Sequence, residues 1–147
     1  MMVMSRWTSL AVAAGAFAVG FAVRGAMGVP VANAQTANRV FELRTYTAAP
    51  GKFDALHKRF RDHTVRLFTK HGMTHVGYWT PADAPLSENT LIYVLAHRDR
   101  EAAKKSWAGF RSDPEWLKAR DESQKDGSLT TKVESVFLDP TDYSPMK

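Results

Sequence analysis

Residues 39–147 alternate between short β-prone runs and stretches with helical periodicity. Residues 39–47 hold Val40, Phe41, Leu43 and Tyr46 in a run that reads as a strand. Pro50 and Gly51 break it, and Pro50 suits a first helical turn, where its missing N–H has no intrahelical partner to lose. The helix predicted next runs to about His71. Its apolar positions Phe53, Leu56, Phe60, Leu67 and Phe68 form one stripe. Gly72 is placed to end it in the left-handed conformation. Residues 73–80 read as a second strand, residues 81–85 as a Pro-bounded loop and residues 90–97 as a third strand. Asp99 can cap a helix from Arg100 to about Phe110. Ser112-Asp113-Pro114-Glu115 then gives a second start signal, a cap residue followed by proline and an early acid, for a helix stopping near Gly127. Residues 130–138 form the last strand.

The order β-α-β-β-α(α)-β predicts an α+β fold: two βαβ halves in a ferredoxin-like four-stranded antiparallel sheet, helices on one face. The third strand, Leu91-Ile92-Tyr93-Val94-Leu95-Ala96, does not alternate and is apolar on both faces. Helices can cover only one of them. The simplest cover for the other is the same sheet of a second copy, which predicts a homodimer.

The first 34 residues differ in kind. They contain no Asp or Glu, and an apolar run of 14 residues from Leu10 to Val23 lies between Arg6 and Arg24. Spanning a bilayer takes roughly 20 apolar residues. The run matches a signal-peptide core, and Ala32-Asn33-Ala34 matches its cleavage site. The expected organisation is a signal peptide over 1–34, a short linker over 35–38 and one domain over 39–147. The mature protein would be periplasmic or extracellular, with no stable membrane anchor after cleavage. Cys is absent, which excludes disulfides, thiol catalysis and thiolate metal sites. After Ala34 there are 18 basic and 15 acidic residues. The densest basic stretch, residues 52–70, is interrupted by Asp54 and Asp62 and reads as a solvated helix side, so no nucleic-acid partner is expected.

Several segments together carry a family resemblance. Phe41-Glu42-Leu43-Arg44-Thr45-Tyr46-Thr47 with Pro50-Gly51-Lys52, His71-Gly72 leading to Gly77-Tyr78-Trp79, and Leu95-Ala96-His97 open the match. Trp107-Ala108-Gly109-Phe110, Asp113-Pro114-Glu115-Trp116 and Pro140-Thr141-Asp142-Tyr143-Ser144-Pro145 complete it. In order and spacing they resemble the NIPSNAP family over nearly all of residues 39–145. The resemblance implies a dimeric α+β barrel of two ferredoxin-like sheets face to face. That wider superfamily includes cofactor-free monooxygenases, haem enzymes and binding modules, so the resemblance sets the fold and leaves the chemistry to the site.

Alternation along the first strand puts Glu42, Arg44 and Tyr46 on one face and Phe41, Leu43 and Thr45 on the other. The apolar set is expected to face the helices and the polar set the partner sheet or a cavity near it. A buried unpaired charge is costly, so Glu42 and Arg44 should be paired. Two readings follow: an ion pair fixing the dimer, or an Arg44 that grips an anionic ligand beside Tyr46. On the first helix His57 and His71 lie on the apolar stripe and His63 at its edge, where it can face a cavity mouth. No histidine spacing suggests a metal site, and no cofactor is predicted. The candidate ligand-binding residues are Arg44, Tyr46, His63, Tyr78 and Trp107. The leading expectation is an exported module that binds a small apolar or aromatic ligand carrying an acidic group, in a pocket between sheet and helices. One alternative is a cofactor-independent monooxygenase or isomerase with His63 as base and Tyr46 or Tyr78 as donor. The other is a non-catalytic dimeric interaction protein.

Overall fold

The structure is a computed structural model, and it describes residues 39–147. The expected signal peptide and linker lie outside the described residues. Strand β1 is Val40–Ala48, β2 Thr74–Trp79, β3 Thr90–His97 and β4 Thr130–Leu138. They form one antiparallel sheet in the order β2-β3-β1-β4, so β1 and β3 are central. This is the predicted ferredoxin-like topology. Among the described residues no helix is long and apolar enough to cross a membrane.

The first helix is built in three pieces: α1 Phe53–Arg59, a π-helical turn Phe60–Thr64, and α2 Val65–Lys70. The Val65 N–H reaches back to the Phe60 carbonyl, and the Thr64 hydroxyl donates to the Arg59 carbonyl at 3.2 Å. The wide turn absorbs one residue. Leu56 and Phe60 before it, and Leu67 and Phe68 after it, therefore all reach the sheet. The rod ends at Gly72, whose φ of 75° is the left-handed cap expected there.

Helix α3, Arg100–Ser112, opens on Asp99, whose Oδ1 accepts the Ala102 N–H at 2.7 Å. Helix α4, Pro114–Ser123, opens on Asp113, whose Oδ1 accepts the Glu115 N–H at 2.8 Å. It stops four residues before Gly127, because the Gln124 N–H turns back to the Arg120 and Asp121 carbonyls. Asp113 also binds the end of the first helix: Oδ2 accepts from Lys70 Nζ and from His71 Nε2, both at 2.7 Å. Gly109 lets α3 approach this joint, since a Cβ there would stand 2.9 Å from the His71 ring. These donors, Lys70 first, hold the Asp113 carboxyl well below the usual range. Asp113→Ala is expected to lower Tm by roughly 5 °C, and Asp113→Asn, which keeps the cap, by less. Thermal unfolding at neutral pH measures the difference; equal losses in the two variants would remove the cap from the account.

The core lies between the helices and the sheet, around Phe60, Phe68, Tyr93 and Leu95. Phe60 meets Tyr46 edge-on at 5.8 Å and Tyr93 at 5.4 Å. The faces of β1 are therefore the reverse of the expectation. Glu42, Arg44 and Tyr46 face the helices, in register with Leu95, Tyr93 and Leu91 of β3. Phe41, Leu43 and Thr45 are on the open side. The physical reason is that Trp107 of α3 and three side chains of the sheet itself, Arg44, His97 and Ser135, satisfy Glu42, so the polar set is buried by satisfaction rather than excluded. The Glu42–Arg44 ion pair lies within this chain, on the helix side of its sheet.

The open side is apolar. Leu43, Ile92 and Val94 are half-buried, while Trp79 is 51% and Val136 52% exposed. The indole of Trp79 folds over Gly77, where a Cβ would stand 2.4 Å from the ring. At one end, Met146 and Lys147 of the C-terminal tail share a cleft of about 400 Å³ with Phe41, Val76 and Ala96.

Candidate functional site

The most organised polar group in the described fold is centred on Glu42. Its carboxylate is 1% exposed. Oε1 accepts from Arg44 Nη1 at 2.7 Å and from the Ser135 hydroxyl at 2.6 Å. Oε2 accepts from Trp107 Nε1 at 2.6 Å and is 3.2 Å from His97 Nε2. The four partners come from β1, β4, α3 and β3, so one side chain ties the sheet to the helix above it. Burial alone would raise its pKa, but the donors His97, Ser135, Trp107 and Arg44 outweigh it and hold the carboxyl at about 2. The geometry assigns the His97 proton to Nε2, which leaves Nδ1 as a buried nitrogen without a partner.

Arg44 lies flat against the Trp107 ring, its guanidinium carbon 4.3 Å from the centroid, and stands 5.6 Å from the Tyr46 ring. Burial acts to lower its pKa, and Tyr46, Tyr93 and Glu42 raise it above the usual arginine range. Arg44 gives Glu42 only the Nη1 donor, and its Nε–H has no partner. Tyr93 donates its hydroxyl to that of Tyr46 at 3.1 Å. Three of the expected residues, Arg44, Tyr46 and Trp107, are thus brought together.

Beside them the helix side of the sheet opens. β4 is exposed from Thr131 to Val136, and Val133 and Ser135 stand opposite Tyr46 and Arg44 in the pairing register. Val133 and Ser135 therefore share the helix-side face of the sheet with Tyr46 and Arg44; Val133 is exposed there, and the Ser135 hydroxyl is spent on Glu42.

Tyr78 reaches this group through Tyr93, on which it stacks at 5.5 Å, and through Phe60, which it meets edge-on at 6.1 Å. Its hydroxyl, pushed up to about 12 by burial, is hydrogen-bonded with His75 Nδ1 at 2.6 Å. His75 Nε2 then meets the Thr69 hydroxyl at 2.8 Å, so the chain ends on a helix. Tyr78 lines a cleft of about 350 Å³ with His57, Phe60 and Trp79. His63 lines a different cleft, of about 420 Å³, between the first helix and α4. His63 and Tyr78 thus line different clefts.

Sequence reasoning missed Tyr93, His97 and Ser135 as partners, and it missed Arg59. The signal for the first three was available: a strand carrying Glu42 requires donors across the sheet, and β3 and β4 supply them. Arg59 carried no signal, being one cation in a basic stretch.

A sequence profile of the NIPSNAP family matches residues 41–145. No curated protein matches the chain. Among solved structures, a NIPSNAP family protein of unknown function from Agrobacterium tumefaciens superimposes with a TM-score of 0.65 at 23% identity, covering 76% of this chain and 96% of that one. An uncharacterised NIPSNAP-like domain protein from Burkholderia xenovorans gives a TM-score of 0.64 at 19% identity, over 74% of this chain and 90% of that one. A protein from Nitrosomonas europaea, provisionally described as an antibiotic biosynthesis monooxygenase, gives 0.53 at 16% identity, over 76% and 96%. At these identities the likenesses concern the fold.

Proposed function

This chain belongs to the NIPSNAP family, and on that premise we propose that it is an exported, homodimeric binding protein for a small apolar or aromatic molecule with an acidic group. The observation that carries the reading is Arg44. Its guanidinium is held by Glu42 and Trp107 on the same sheet face as exposed Val133, with its Nε–H unpartnered. Fixing a guanidinium in this way removes the side-chain entropy that a flexible cation would lose on binding. The acidic head would take the remaining Arg44 donors and the Tyr46 hydroxyl, and the apolar body would lie on Val133.

Dimerisation through the open sheet face supports the same reading, because it would cover a contiguous apolar surface that a monomer leaves wet. Residues 1–34 support export through their charge pattern and cleavage site.

The binding test uses benzoate, phenylacetate and indole-3-acetate against the corresponding amides, by isothermal titration calorimetry. The acids should bind and the amides should not. Arg44→Met should weaken acid binding about 10- to 100-fold, the range of one or two charge-assisted hydrogen bonds. Arg44→Lys keeps the charge and should fall between. Equal binding of acids and amides would remove Arg44 from the recognition. Native mass spectrometry of protein from its own host adds a separate readout: a co-purified acid is expected, and an empty dimer would favour the interaction-protein alternative.

A further inference from the structure

We propose that the cleft between the first helix and α4 is a second binding site, specific for a small oxyanion, a carboxylate or a phosphate, with Arg59 as its principal ligand. It does not depend on the binding role proposed for Arg44.

Arg59 is 6% exposed. Among the described residues no carboxylate oxygen comes within 4.0 Å of its guanidinium. Its contacts are a long hydrogen bond from Nη1 to the Ser123 hydroxyl, 3.4 Å, and the face of Trp116 at 5.2 Å. Its Nε–H is buried without a partner. The contrast with the other buried charges is plain: Glu42 has four donors, and Asp113 has Lys70, His71 and a backbone N–H. A largely buried cation without a carboxylate partner is unfavourable, and an anion bound in the cleft would supply the missing counter-charge. Burial lowers the Arg59 pKa, as an absent counter-ion would leave it.

Arg59 lines a cleft of about 420 Å³, ample for a phosphate or a short carboxylic acid. Lys58 and His63 also line it, whereas the Ser123 hydroxyl is already donated to the Arg120 carbonyl at 2.9 Å. Two carboxylates also line it. Asp62 is engaged by Lys58 at 2.5 Å, whereas Glu122 is exposed and makes no side-chain ion pair among the described residues. Glu122 would compete with an incoming anion. The π-helical turn begins at the residue after Arg59, and the Thr64 hydroxyl takes the Arg59 carbonyl. Such turns recur at functional sites, and this one directly follows Arg59.

The test titrates full-length protein with inorganic phosphate, and separately with acetate, against chloride at constant ionic strength, following Tm and tryptophan fluorescence. A saturable rise in Tm is expected with phosphate, with acetate or with both; phosphate alone would select a phosphoryl group. Arg59→Gln should abolish the rise. In anion-free buffer it should be at least as stable as the natural protein, because an unpaired buried charge has gone; a merely structural arginine would leave it less stable. Arg59→Lys should retain a weakened response, and Glu122→Gln should tighten binding a few-fold. Should Arg59→Gln fail to fold, the lysine variant decides alone. No saturable response in the natural protein, or an undiminished response in the Arg59 variants, would overturn the site.

Discussion

Glu42→Ala is expected to destabilise the protein by about 3 to 5 kcal/mol, enough to unfold much of a domain of ordinary stability at 37 °C. Its removal leaves Arg44 as a buried cation without its carboxylate, and leaves Trp107 Nε1 and the Ser135 hydroxyl without their acceptor. Cavity formation adds to the loss. Glu42→Gln keeps the shape and one acceptor, so it should lose less. The same residue fixes the acid behaviour. Its carboxyl titrates near 4.5 in the unfolded chain and about 2 in the fold. A depressed pKa stabilises the ionised fold, so the contribution is complete above 4.5 and is lost as pH falls towards 2. Its size is about 3 kcal/mol, at roughly 1.4 kcal/mol per pH unit. Asp113, also depressed, acts in the same direction. Urea denaturation from pH 7 to pH 2 should show this slope in the natural protein and a flatter one in Glu42→Ala. Equal stabilities and equal slopes would remove Glu42 from the centre of the fold.

Val94→Asp is expected to convert the proposed dimer to monomer. Val94 lies on central strand β3, on the open face opposite Leu43 of β1. Two-fold pairing of this face would bring each substituted strand under the partner sheet, so two carboxylates would lose water together. At roughly 2 to 4 kcal/mol for an unpaired group, the dissociation constant should rise about 30- to 1000-fold. Sedimentation velocity across a concentration series reads this directly. Val94→Thr, of similar size, should dimerise more weakly than the natural protein but more strongly than the aspartate variant. A natural protein that remains monomeric at millimolar concentration would end the proposal, since the open face would then be wet in the native state.

The elements were legible because each carried two agreeing signals. The Phe53–Leu56–Phe60 stripe, Asp99 and Asp113 as caps, and Gly72 as a stop stand where the sequence places them, whereas Pro50 lies in the turn before the helix, which begins only at Phe53, and not in its first turn. The facing of β1 was not legible. Alternation shows that two faces differ, but not which one the helices cover, and the usual preference for the apolar face fails when the polar face finds Trp107, His97 and Ser135. Along the first helix the apolar stripe was legible, since Leu56, Phe60, Leu67 and Phe68 reach the core and His63 lines a cleft; the burial of Arg59 and Thr64 beside that stripe was not, because neither carries an apolar signal. Of the candidate site, Arg44, Tyr46 and Trp107 could be found as residue types, but their convergence on one carboxylate required the register between β1 and α3.

The widened turn also governs how this chain can vary. Because it lies between two short α-helical pieces, it acts as a rotational joint between modules that answer to different neighbours. The piece before it, ending at Arg59, meets α4, whereas Leu67 and Phe68 after it are packed into the core. A one-residue deletion inside the turn would be taken up by ordinary α-helix, leaving Arg59 before it and Phe68 after it in phase. Lineages that lose this residue would therefore keep the scaffold while changing which side chains of the turn, among them Asp62 and His63, reach the outer cleft.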